Sequence, residues 1–92
     1  MGAAATTTEL GATCELMMSG DYKERFRAEY AQTKIRYEKL KDFCNRIEAA
    51  MLTGSKEPDH DCSLELLRSQ QRIMGEYLHI LEIRAAIEEV TL

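Results

Sequence analysis

The 92 residues have room for one domain at most, and a hairpin of this length buries only a modest core. Hydrophobic residues at 45% and charged residues at 30% exclude a disordered tail, and one Pro with five Gly is too few turn formers for a β-sandwich. The net charge of −4 is unevenly spread, because residues 21–52 carry eight Lys/Arg against six Asp/Glu while residues 53–92 carry four against eight. A weakly basic segment attracted to an acidic one fits this better than a duplex DNA binder, which concentrates basic surface.

No apolar run reaches the roughly 18 residues that cross a bilayer, and no basic n-region with an apolar core opens the chain, so the expected location is the cytoplasm. Cys14, Cys44 and Cys62 form an odd set without a C-x-x-C pair, which reads as free thiols in a reducing compartment.

Residues 1–20, "MGAAATTTELGATCELMMSG", are low in charge and broken by three Gly, and are expected to form a flexible N-terminal segment with at best one weak helical turn. Met17 and Met18 offer later start codons, so residues 1–16 read as an upstream extension. The hairpin domain is expected to occupy residues 21–92.

A first helix is predicted from Asp21, whose side chain can cap orphan amides while Glu24 returns the bond from the third helical position. It should end near Leu52, with Gly54 in the left-handed conformation and Pro58 keeping the connection non-helical. Phe26, Tyr30, Thr33, Tyr37, Leu40, Cys44, Ile47 and Met51 alternate in steps of four and three, which is a heptad seam. Asp59 to Cys62, "DHDC", has the residue types of a zinc site without its spacing, and reads as a polar capping loop with no metal.

A second helix is predicted from Asp61–Ser63 to about Val90. Leu66, Ile73, Ile80 and Ile87 form one seven-residue ladder, and Leu67, Met74 and Leu81 a second beside it. With Leu78 added, the apolar arc spans about half the circumference at 100° per residue, more than one partner helix covers. The prediction is an all-α antiparallel two-helix hairpin, coiled-coil-like, that self-associates through its second helix into an oligomeric bundle.

Gln70, Tyr77 and Arg84 fall between the ladders, with Gln70 expected near Cys44, Tyr77 near Tyr37 and Arg84 near Tyr30. Two readings stand. A buried amide and guanidinium fix register and oligomer order, Arg84 stacking on Tyr30 or pairing with Glu29; or subunits meet around a cavity where Arg84 and Gln70 await a polar ligand. Lys23, Arg27, Lys34 and Lys41 project along one flank of the tyrosine seam. They either answer Glu65 and Glu76 across a coiled coil, or offer ammonium groups beside Tyr30 and Tyr37 for a nucleotide, bases on rings and phosphates on cations. His79 reads as a solvated outer residue. Gly75 is placed opposite the seam, where another subunit's backbone approaches or the surface merely tolerates it. No Gly-rich phosphate loop, no nucleophile matched to a placed His and no inward carboxylate pair is assembled, so neither catalysis nor a cofactor is expected.

"YKERFRAEYAQTKIRYEKLKDF", a short Pro-containing loop and "LLRSQQRIMGEYLHILEIRA" together resemble the small phage-encoded helical-hairpin proteins related to a protein of crAss-like phages, over about residues 21–90. In size and hairpin design the chain is also similar to phage sponge proteins, helical oligomers that defeat CBASS or Thoeris immunity by sequestering cyclic-nucleotide or cyclic ADP-ribose signals without cleaving them. That likeness implies a non-enzymatic antagonist of host defence in the cytoplasm of a bacterial host. Arg84, Gln70, Tyr30, Tyr37 and Lys34 are the expected ligand contacts. The alternative is a protein-binding adaptor whose apolar second helix docks on a host or phage protein.

Overall fold

The computed structural model describes residues 21–92, so the expectations for residues 1–20 lie outside it. Among the described residues there are two helices and no strand: α1, Tyr22–Thr53, and α2, Leu64–Glu88. They fold back on each other as an antiparallel hairpin, as the two long amphipathic segments and short loop require.

The helix ends are chemically explicit. The carboxylate of Asp21 accepts hydrogen bonds from the amides of Lys23 at 2.8 Å and Glu24 at 3.2 Å, satisfying two donors that the helix cannot. Gly54 takes φ 71°, where a side chain would be strained, and closes α1 with its amide on the Ala50 carbonyl. Ser63 caps α2 by accepting from the Leu66 amide at 3.2 Å. The second helix ends two residues short of the predicted Val90. Glu89 turns left-handed at φ 57°, the Val90 amide reaches back to the Ala85 carbonyl at 2.8 Å, and the Val90 side chain is buried. Burial of that valine against Phe26, Leu81 and Ala85 is what the turn achieves.

On α1 the predicted seam is the buried face over most of its length: Phe26, Cys44 and Ile47 are buried, with Tyr30, Thr33, Tyr37 and Leu40 half-buried. Met51 departs from it at 55% exposure, because α2 starts only at Leu64 and no helix stands opposite the last turn of α1. On α2 the face against α1 is Leu67, Met74, Leu78, Leu81 and Ala85. The centre of the buried arc is therefore turned by roughly 80° from the predicted line through Gln70, Tyr77 and Arg84. All three are exposed, as is the whole first ladder, with Ile73 at 56%, Ile80 at 53% and Ile87 at 75%.

Gly75 explains the rotation. It faces α1, not the outside: a Cβ placed on it would stand 3.1 Å from Cε1 of Tyr37. The missing side chain there makes room for the Tyr37 ring against α2, so the face carrying Gly75, Leu78, Leu81 and Ala85 turns to α1 and the isoleucine ladder is left outward.

Candidate functional site

Along one flank of the hairpin, α1 and α2 leave a recess of about 170 Å³. Tyr30, Lys34, Tyr37 and Glu38 line it from α1, and Gly75, Leu78, His79 and Glu82 from α2. The spacing is i, i+4, i+7 and i+8 on α1 and i, i+3, i+4 and i+7 on α2, so each set of four forms one continuous face. The antiparallel register brings the two faces together.

Its polar architecture rests on one cross-helix bond. The Tyr30 hydroxyl donates to Oε2 of Glu82 at 2.6 Å. Donation to that carboxylate, followed by burial and by the carboxylate's own charge, pushes the Tyr30 phenol up to about 12. Lys34 places its ammonium 5.8 Å from the Tyr30 ring centroid, and among the described residues it enters no ion pair. The recess thus offers aromatic walls, one ammonium and two carboxylates.

The predicted contacts divide into two groups. Tyr30, Lys34 and Tyr37 meet in this recess. Gln70 and Arg84 lie about 150° around α2 from its centre, on the opposite flank. There the Arg84 guanidinium sits 5.1 Å from the Phe26 ring centroid and donates to Glu88 at 2.8 Å and to the Tyr22 hydroxyl at 3.2 Å. It stacks on Phe26 where Tyr30 was expected. Tyr77 donates its hydroxyl to Glu29 on the same flank, and that bond, with burial and the Glu29 charge, raises its pKa against the opposing pull of Arg84. Tyr77 was expected near Tyr37; Gly75 holds that place instead. The basic flank of α1 is not matched to Glu65 and Glu76 as a coiled coil would have it: Glu76 pairs with Arg72 of its own helix, and Lys23 donates to the Glu89 carbonyl at 3.2 Å.

Sequence reasoning missed Glu82, Glu38 and the inward turn of Gly75, and set His79 aside as a surface residue. The signal for Glu82 was present, since the register that places Gly75 against Tyr37 also sets Glu82 against Tyr30, one heptad further along both helices. The "DHDC" loop is polar and capping as expected: His60 contacts the Cys62 carbonyl at 2.7 Å and Glu57 at 2.9 Å. Among the described residues no three His, Cys, Asp or Glu converge on a metal position, and no helix is long and apolar enough to cross a membrane. Cys44 is buried and Cys62 exposed, both as free thiols.

Most of the hairpin, from the residue before the Asp21 cap to Ile87, matches a family model described as Sequestin, over residues 20–87. The chain belongs to the Sequestin family. No curated protein matches it, and neither does any solved structure. The Sequestin match takes in both flanks, and so includes Tyr30, Lys34, Tyr37, Gln70 and Arg84. It also takes in the connecting loop, and stops one residue before the end of α2.

Proposed function

We propose that this protein is a non-enzymatic sponge that captures a small anionic nucleotide signal between copies of itself, and that it serves a phage by antagonising host defence in the bacterial cytoplasm. Membership of a family named for sequestration, matched over residues 20–87, is the observation that carries this reading. The geometry supports it in two ways. The recess sets the Tyr30 and Tyr37 rings beside the Lys34 ammonium, a pairing suited to a nucleotide. The outer ladder of α2 leaves branched apolar side chains exposed for another copy to cover, and such a pairing would set the Arg84 and Gln70 flank of one chain toward the recess of the next. Stacking on the tyrosines, phosphate on Lys34 and Arg84, and a base edge on Gln70 would complete the contacts.

The crAss-like phage resemblance agrees with a phage source. CBASS and Thoeris signals, cyclic oligonucleotides and cyclic ADP-ribose isomers, are the ligand classes to screen. At a ligand concentration of 100 times Kd, binding to the folded state alone adds about 2.7 kcal/mol, a shift of several degrees in Tm. The sponge reading expects such a shift with at least one of these compounds and unchanged recovery of the ligand after denaturation. No shift with any of them, for a folded oligomer, removes it.

The exposed α2 ladder also favours a second reading, an adaptor that docks this face on a host or phage protein. An adaptor remains a monomer or weak dimer in isolation and responds to none of the nucleotides. A sponge is a stable oligomer before ligand is added.

A further inference from the structure

We infer that the recess receives the nucleoside part of the captured ligand, with Glu82 accepting from its hydrogen-bond donors, while phosphate stays at the mouth near Lys34; this rests on the sequestration reading. Size is the first argument. At about 170 Å³ the recess is well below the roughly 300 Å³ at which ligand pockets begin, so it holds one ring system and not a whole dinucleotide.

Charge decides which part enters. Glu38 and Glu82 outnumber Lys34, and a phosphate drawn inside would face both carboxylates. Those carboxylates suit the opposite chemistry, the exocyclic amino group of a base or the diol of a ribose. A carboxylate offers about four acceptor positions, and the Tyr30 hydroxyl uses one of them at Oε2, so Glu82 retains the capacity to accept more. The Tyr30 bond also fixes the carboxylate's direction. Leu78 supplies an apolar floor, and the bare Cα of Gly75 lets the Tyr37 ring lie close against α2 as a wall of the recess. Glu82 and Gly75 are thereby specificity-determining residues, the first through an acceptor and the second through space.

The test uses the full chain, labelled with nitrogen-15 and titrated with adenosine 5′-monophosphate and, separately, inorganic phosphate. The mononucleotide is expected to move the amides of Gly75, His79 and Glu82, and phosphate alone to leave them in place. Inosine 5′-monophosphate and 2′-deoxyadenosine 5′-monophosphate separate the two donors: loss with the first assigns Glu82 to the amino group, and loss with the second to the diol. No loss with either overturns the inference, as does an equal response to phosphate alone. Shifts at Gln70 and Arg84 with none in the recess overturn it while leaving sequestration standing. No shift anywhere overturns it too, and the cyclic-nucleotide screen then judges sequestration separately.

Two substitutions distinguish recognition from mere structure. Tyr30→Phe removes the cross-helix bond and keeps the Glu82 charge, whereas Glu82→Gln removes the charged acceptor and keeps an amide oxygen that the Tyr30 hydroxyl can still reach. Glu82→Gln is expected to weaken the mononucleotide about tenfold, in line with a hydrogen bond to a charged group. Tyr30→Phe keeps the ring and is expected to change binding less than threefold. Equal losses in both would make Glu82 a structural residue only.

Discussion

Glu89 carries the one left-handed non-glycine conformation among the described residues, at φ 57°. An L side chain there costs on the order of 1–2 kcal/mol, which the burial of Val90 and the Val90–Ala85 hydrogen bond offset. Glu89→Gly should relieve the strain and raise stability by about 1 kcal/mol, or several degrees of Tm for a domain of this size. A melting curve checks this, and an unchanged or lowered Tm contradicts it. His60 poses a different residue-level question. Its two ring nitrogens meet the Glu57 carboxylate and the Cys62 carbonyl, groups that only accept, so both bonds form only when the ring is doubly protonated. Those two bonds, Glu57 first, raise its pKa above the ordinary 6.5, and the charges of Glu57 and Asp61 add to the effect while slight burial opposes it. The ring also packs edge-on with Phe43 of α1, over whose face the Arg46 guanidinium lies. A raised folded-state pKa means that the contribution is complete below pH 6.5 and fades as pH climbs through the raised value. Urea midpoints from pH 5.5 to 9 should therefore fall with pH in the native chain and fall less in His60→Gln. Parallel curves would show that the loop bonds contribute nothing.

At the scale of the helix, the outer face of α2 is the feature that most needs a partner. Leu66, Ile73, Ile80 and Ile87 recur every seven residues and all are exposed, with Tyr77 and Ile83 beside them. A stripe of that length on a 25-residue helix is larger than scattered surface apolarity explains. Ile80→Glu, at the middle of the stripe, should leave the helical content intact and shift the chain toward monomer in light scattering; an unaltered mass would remove the stripe from the interface. The hairpin itself was legible from sequence because its signals are local: an aspartate cap, a glycine terminator, a proline in the loop and seven-residue periodicity. The rotation of α2 was not. Periodicity finds the greasy side of a helix by counting large side chains, and gives no weight to Gly75, whose missing side chain makes room for the Tyr37 ring. For the same reason the recess was half visible. Tyr30, Tyr37 and Lys34 were found from α1 alone, and Glu82 was missed because its role depends on which α2 face turns inward. Gly75 can be tested through this packing. Gly75→Ala trades a helix-propensity gain of about 1 kcal/mol against a contact at 3.1 Å on Tyr37. Its benefit should grow by about 1 kcal/mol when Tyr37→Leu removes the ring, a coupling that a double-mutant cycle reads directly.

Over the whole molecule the two flanks are complementary and distant. One holds the tyrosine recess with Lys34, Glu38 and Glu82; the other holds Arg84, Gln70 and Tyr77. A lone hairpin sets them on opposite sides of α2, so under the proposed function a ligand touching both is held by two chains, and the exposed apolar ladder between the flanks is the surface through which they would pair. Sequestration of this kind needs no bond to break, only an assembled pocket and a copy number that exceeds the signal. The account stands or falls on that assembly. Size-exclusion chromatography with multi-angle light scattering, on the full chain at micromolar concentration and without added ligand, measures it most directly. A mass of at least twice the 10.5 kDa chain is the predicted result, and a folded particle of 10.5 kDa that stays monomeric would contradict the account.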